Sequence, residues 1–170
     1  MPLPGEYNMG KIVSVNVSKK KGAIKKPVPE VVLVPGQGVR DDAHAGPGER
    51  QVSLLMLESI ERQRSLLAGR NQGKCGVSGG KIEELKPGMF AENLTTAGID
   101  LLALRLGEEL RVGQQIRLRV SKIGKECHAK CAVFYRLGEC VMPREGIFCE
   151  VRTGGVARPG DRIERVPEDA

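Results

Sequence analysis

The residues best equipped for chemistry lie in the run Lys125-Glu126-Cys127-His128-Ala129-Lys130-Cys131. Two lysines and an imidazole surround Cys127, and nearby positive charge lowers a thiol's pKa and raises its thiolate fraction. A thiolate can coordinate a soft metal centre, attack a sulfur donor or carry a persulfide. On a helical turn, Cys131 would stand one turn from Cys127 on the same face, placed to act as a resolving thiol. Two other readings stand beside this one. Free cysteine is among the most buried residue types and often only packs, the reading taken for Cys149 between its apolar neighbours. Alternatively, Cys127, His128, Cys131 and Cys140 could supply four zinc ligands, although adjacent Cys-His ligands are geometrically awkward. Cys75, in a glycine-rich stretch, is read as a small residue in a turn.

A second group, Asp41, Asp42 and His44, lies in the glycine-flanked stretch GQGVRDDAHAG. Carboxylates with a histidine can hold a hard metal or act as a general base. Residue types favour a plainer reading, a turn whose Asp side chains bond nearby backbone amides. The chain has no Walker loop, no dinucleotide fingerprint and no zinc-protease helix.

The elements that must position these groups are short. Lys11 to Ser18 alternates, with Val13, Val15 and Val17 predicted on one face and Ser14 and Asn16 on the other. Val31 to Val34 reads as a more buried strand stopped by Pro35-Gly36, and Gly36 to Arg50 as loop. One helix is predicted from about Leu55 to Ala68, with Leu57, Ile60 and Leu67 near one face and Gly69 as its stop. Cys75 to Gly80 reads as another turn. Phe90–Leu94, Leu101–Leu104, Glu109–Val112, Gln115–Ser121, Ile147–Val151 and Arg162–Val166 are predicted strands. Ile116, Leu118 and Val120 should point inward, with Gly154-Gly155 and Pro159-Gly160-Asp161 as turns. Short strands at this spacing with so little helix suggest a closed or nearly closed barrel.

Composition agrees with that architecture. The chain has 170 residues, enough for one domain with its own core, and five aromatic side chains with no Trp, so that core must be aliphatic. Residues 1–8 read as a flexible leader, 9–166 as a single domain and 167–170 as a tail. No apolar stretch is long enough to span a bilayer and no secretory signal is visible. The expectation is a cytoplasmic protein whose five cysteines are thiols, ligands or nucleophiles rather than disulfides. The net charge of +6 suits anionic partners. Much of it, including the run Lys19, Lys20, Lys21, Lys25 and Lys26, is read as solvated surface. So few aromatics for base stacking argue against nucleic acid.

Three segments, in order, resemble the MOSC domain family, named for the C-terminal region of molybdenum cofactor sulfurases. GVRDDAHAGPGERQVSLL resembles the family's Gly-Asp-x-His-Gly loop and following Arg-x-Val-Ser-Leu strand. FAENLTTAGIDLLAL resembles its Phe-x-Glu-Asn-Leu-Thr-Thr-x-Gly-Ile-Asp stretch, and GIFCEVRTGGVARPGD its closing segment. The resemblance implies a mainly β, mixed α/β fold: a MOSC-type β-barrel with one main helix and short peripheral helices. It implies that Cys127 binds molybdenum cofactor (molybdopterin), ligating molybdenum, or delivers sulfur to it. Asp42, His44, Arg50, Glu92, Asn93, Thr95 and Thr96 would line the cofactor pocket. Expected partners are a molybdopterin-type small molecule and a sulfur-donor desulfurase or acceptor molybdoenzyme, with no membrane. No pyridoxal phosphate site and no aminotransferase-like sulfurase domain are visible, although the family includes pyridoxal phosphate-linked sulfurases. The implied role is cofactor binding or sulfur carriage in molybdoenzyme maturation, with sulfur transfer as the enzymatic activity that the resemblance would imply. The alternatives are a cofactor-dependent reductase of N-hydroxylated compounds, or a structural-zinc or nucleic-acid-binding module.

Overall fold

Residues 8–71, 85–124 and 141–168 are described by the structure, a computed structural model, with the side chains of 67–71 left aside. In chain order the elements are β1 (Met9–Val17), β2 (Lys26–Val28), β3 (Val31–Val34), β4 (Gly38–Val39), β5 (Val52–Met56) and helix α1 (Leu57–Asn71). Then follow β6 (Leu94–Ala97), a 3₁₀ turn (Leu101–Ala103), β7 (Glu109–Val112), β8 (Ile116–Ile123) and short helix α2 (Met142–Glu145). β9 (Ile147–Thr153), β10 (Gly155–Ala157) and β11 (Arg162–Arg165) complete the described elements.

Seven strands run in the order β11-β7-β8-β9-β5-β6-β1, and pairing of β1 with β11 closes them into a barrel. Closure removes the open edges that a sheet otherwise exposes. β2 extends the sheet beyond β1, and β10-β3-β4 form a small second sheet. β5 and β6 are parallel, so the chain needs a crossover between them, and α1 lies in that connection. The fold is the mainly β barrel with one main helix expected from the residue pattern.

Period-two alternation divides the strands into two faces. Leu54, Leu94, Leu118, Ile147 and Cys149 belong to the main apolar cluster. Leu55, Ile60, Phe90, Val141, Met142 and Phe148 form a second cluster, in which the outward side of β5 and β9 meets α1 and α2. Ile116, Leu118 and Val120 are buried as expected, whereas Arg119 on the same strand is exposed.

Several local expectations are corrected. A register shift between Ile12 and Ser14 against β6 breaks the alternation of β1, as a β-bulge does. Ile12 and Val15 therefore enter the core and Val13 does not, while Ser14 and Asn16 are buried rather than solvated. Phe90 to Asn93 is not strand: Ala91 has φ +64, a left-handed conformation that an extended strand cannot contain. Leu101–Ala103 is a 3₁₀ turn because the Asp100 side chain accepts from the Leu102 N–H and caps it. The helix starts at Leu57, since Leu55 and Met56 end β5, and it continues through Gly69 to Asn71. Gly154-Gly155 marks a change of sheet rather than a reversal: β9 pairs with β8 up to Thr153, and β10 pairs with β3 from Gly155. A Cβ at Gly154 would lie 2.4 Å from the Leu33 carbonyl oxygen, so only glycine permits that approach.

Candidate functional site

One cross-barrel row collects the three segments singled out in the sequence. Lys122 of β8 stands opposite Phe148 of β9, and Phe148 opposite Ser53 of β5. Ser53 bonds to Asn93, and Asn93 in turn bonds to Asn16 of β1. Polar residues on the outward side of β1 and β5 would ordinarily meet water. Here the turn before β6 covers them, so each needs a protein partner.

Asn93 supplies most of those partners. Its Oδ1 accepts from the Ser53 N–H and hydroxyl, both at 3.1 Å, and its Nδ2 donates to the Asn16 carbonyl at 3.2 Å. Asn16 Nδ2 reaches the Glu92 carbonyl and Thr95 Oγ1, both at 3.2 Å, while Ser14 Oγ donates to Asn16 Oδ1 at 2.7 Å. Glu92 is wholly buried; its Oε1 accepts from the Gly88 N–H at 2.5 Å and from Thr95 Oγ1 at 2.9 Å. Its other oxygen, Oε2, has no partner among the described residues. Burial pushes the Glu92 carboxyl up, no cation pairs with it among the described residues, and the hydrogen bonds from Gly88 and Thr95 only partly oppose the shift. Glu92, Asn93 and Thr95 thus form one polar seam with Asn16 and Ser53.

Thr96 lies apart from that seam. It follows Thr95 on β6 and so faces the other side of the sheet, with Leu94 and opposite Met56 of β5. Its hydroxyl is buried without a hydrogen-bond partner among the described residues.

A second group forms beyond the end of β1. Lys25 is buried, with Nζ 2.8 and 3.0 Å from the two oxygens of Asp42, 3.3 Å from Ser18 Oγ and 3.2 Å from His44 Nδ1. Asp42 also accepts from the Ser18 N–H at 3.0 Å and the His44 N–H at 3.1 Å. Burial acts to raise the Asp42 carboxyl. Hydrogen bonding with His44, Lys25 and Ser18, together with the Lys25 charge, outweighs it and holds the group well below the usual carboxylate range. Asp42 therefore has both the backbone amides expected of a turn residue and a buried cation. The two groups are joined by backbone: the Lys25 N–H donates to the Gly88 carbonyl, whose residue in turn caps Glu92.

Arg50 is half-buried over the Phe148 ring, 5.7 Å from its centroid, a cation–π distance. It has no carboxylate partner among the described residues. Alongside, Glu49 pairs with Lys122 at 3.0 Å and its carbonyl accepts from Ser121 Oγ at 2.5 Å. These contacts flank the point where β8 ends and Gly124 bonds to the Gly146 carbonyl.

Cys127, His128, Cys131, Cys140 and Cys75 lie outside the described residues, as does the turn expected at Cys75 to Gly80. Cys149 is fully buried and belongs to the main core, and burial pushes its thiol far up, so it is a packing residue. Among the described residues no three His, Cys, Asp or Glu side chains gather as a metal site, and no helix is long and apolar enough to cross a membrane.

Sequence reasoning missed Lys25, Asn16 and Ser53. Lys25 sits in a lysine-rich run with nothing in its neighbours to set it apart. The polar residues between the valines of β1 were visible, but the turn that covers them was not.

No curated protein matches the chain. Among solved structures, the YuaD protein from Bacillus subtilis superposes with a TM-score of 0.71 at 18% identity, covering 94% of this chain and 97% of that one. YiiM from Geobacillus stearothermophilus gives a TM-score of 0.61 at 23% identity, covering 94% and 75%. YiiM from Escherichia coli gives 0.63 at 16% identity, covering 98% and 72%. Identities this low speak for a shared fold. A sequence-level match is stronger: residues 41–164 fit the family model of the MOSC domain. That stretch holds β5 through most of β11 together with Asp42, His44, Arg50, Glu92, Asn93 and Thr95, so the chain belongs to the MOSC domain family.

Proposed function

We propose that the protein binds molybdenum cofactor, or carries sulfur destined for it, through Cys127, and acts in the maturation of molybdoenzymes. Family membership associates the chain with molybdenum-cofactor-related function and a molybdopterin-type ligand. The observation that best supports the finer reading is the setting of Arg50. A half-buried guanidinium with no carboxylate partner among the described residues, held over Phe148 beside the end of β8, suits the terminal phosphate of a pterin cofactor. The segment carrying Cys127 leaves the described barrel at Gly124 and returns at Val141, which packs with Phe148 in the outer cluster.

The donor set fits the cofactor at its anionic end. Arg50 would hold the phosphate, with His44 as a further donor. Most polar atoms of Asn93 and Thr95 are already engaged within the wall and Glu92 is wholly buried behind it, so in this reading the seam gives the pocket its shape. Asp42 holds the His44 loop through Lys25, and Thr96 sits behind the wall. When bound, the cofactor would supply a molybdenum centre able to change oxidation state and exchange oxygen or sulfur ligands. For sulfur carriage, the Cys127 thiolate would attack the terminal sulfur of a donor desulfurase's persulfide. The donor's own thiolate would leave, and Cys127 would hold the persulfide for an acceptor molybdoenzyme.

The test is to purify wild type and Cys127→Ser from cells supplied with molybdate, then measure bound molybdenum and pterin, and persulfide by mass spectrometry. Cys127→Ser is expected to lose most of the bound metal or all of the persulfide. Equal metal and pterin in both proteins, with persulfide on neither, would sink the proposal.

A further inference from the structure

We infer that Lys25 is a positioning residue that fixes the tautomer of His44, so that the His44 Nε2–H stands as a permanent donor to a tetrahedral oxyanion. This rests on the reading of the site given above and extends it to a residue and an atom.

An ammonium group has three hydrogens and no lone pair. His44 Nδ1 lies 3.2 Å from Lys25 Nζ and 3.7 Å from Asp42 Oδ2; the shorter contact is to a group that can only donate, so there the histidine nitrogen accepts and the longer one is no hydrogen bond. A neutral imidazole that accepts at Nδ1 carries its proton at Nε2. The backbone that carries the ring is held in place. The His44 N–H donates to Asp42 Oδ2 at 3.1 Å, and the same carboxylate binds Lys25 Nζ through both oxygens. Lys25 is fixed in turn by burial and by its N–H bond of 2.8 Å to the Gly88 carbonyl.

The opposite side of the ring is different. Nε2 has no partner among the described residues, and the His44 side chain is 23% exposed. A buried cation bonded to the far nitrogen polarises the ring and strengthens the outward N–H as a donor, as chains of hydrogen bonds do. A fixed outward N–H matches an oxygen of a phosphate ester or of an inorganic oxyanion such as molybdate. Lys25 and Asp42 together carry no net charge, so the donor's strength comes from the hydrogen-bond chain through the ring and not from a net positive field.

The chain contains two histidines, so ¹⁵N-labelled protein gives two imidazole patterns, and His44→Gln assigns them. Two-bond ¹H–¹⁵N correlation at about pH 8.5, where an ordinary imidazole is neutral, should show His44 protonated at Nε2 and bare at Nδ1. A ring protonated at Nδ1, or an even mixture, overturns the inference. In Lys25→Met the single tautomer should give way to a mixture; a Lys25→Met protein that folds and keeps the Nε2–H form unchanged also overturns it. If that variant does not fold, the wild-type spectrum decides. Titration with inorganic phosphate and, separately, with molybdate should move the His44 pattern saturably with at least one of them, and which one responds tells the two sources apart. A ring indifferent to both removes the donor role. Failure here is separate from failure of the Cys127 reading, which is scored by bound metal, pterin and persulfide.

Discussion

Asp42 and Glu92 are both buried carboxyl groups, linked through Lys25 and Gly88, yet they stand in opposite electrostatic conditions. Asp42 has a cation at 2.8 Å and is held well below the usual carboxylate range. Among the described residues Glu92 has only neutral donors and one oxygen without a partner, and it is pushed up. Both are buried, Glu92 the more completely, so the difference comes from its deeper burial and from the cation that Asp42 has beside it. One group is a fixed charge and the other an acid that resists ionisation. Asp42 can therefore orient a neighbouring imidazole through Lys25, whereas Glu92 serves the wall.

The comparison is broken most severely by Lys25→Met. It leaves the Asp42 carboxylate buried without its cation, and an uncompensated buried charge costs about 3–5 kcal/mol. Urea denaturation should show a loss of that order at neutral pH. Lys25→Met/Asp42→Leu should recover a large part of it, because removing both charges removes the uncompensated one. A depressed carboxyl contributes stability that is present above the ordinary carboxylate range and lost as pH falls through its native value. Wild type should therefore lose stability below about pH 4, and Lys25→Met should lose less of it over that interval. A single variant as stable as wild type would show that the pair contributes nothing.

Asn93→Ala comes next. It removes the acceptor for the Ser53 N–H and hydroxyl and the donor to the Asn16 carbonyl, all in a place that water does not reach. Leaving buried groups unsatisfied costs about 1–3 kcal/mol each, less where a neighbour can adjust. The Ser53 hydroxyl can still bond to the Ala91 carbonyl, at 3.3 Å, so a total near 3 kcal/mol is expected in the same urea assay. Asn93→Asp keeps the acceptor but buries an uncompensated carboxylate against the Asn16 carbonyl, and at neutral pH it should lose at least as much, about 3–5 kcal/mol. Equal stability of all three would mean that the seam does not hold β5 to β1.

The barrel was legible in the sequence because its signals are local: Ile116, Leu118 and Val120 alternate, and glycine and proline mark the ends of β3, β7 and β11. The site was legible in part. Asp42, His44, Arg50, Glu92 and Asn93 were singled out by resemblance, and the structure brings Glu92 together with Asn93 and Thr95, and Asp42 with His44. Thr96 was grouped with Thr95, but strand alternation sends adjacent residues to opposite faces. Lys25 was read as solvated surface because burial of a lysine depends on a carboxylate seventeen residues away, which no local pattern encodes. Leu101–Leu104 was read as strand because a short run of leucines fits a strand or a helical turn equally until the neighbours are known.

Glu92→Gln is the mildest change and the sharpest test of the contrast. The glutamine keeps an acceptor for the Gly88 N–H and the Thr95 hydroxyl, and places its amide where Oε2 already lacks a partner. Near pH 5 its stability should lie within about 1 kcal/mol of wild type. The two then diverge. A carboxyl raised in the native state contributes stability that is full below its unfolded pKa and is lost as pH rises through its native value, because the unfolded chain releases the proton first. Wild type should therefore fall relative to the variant as pH rises from about 5 toward 8, the reverse of the slope that Asp42 produces in acid. Parallel curves for wild type and Glu92→Gln would mean that Glu92 ionises as freely as an exposed carboxylate, and the distinction between the two buried acids would then rest on Asp42 alone.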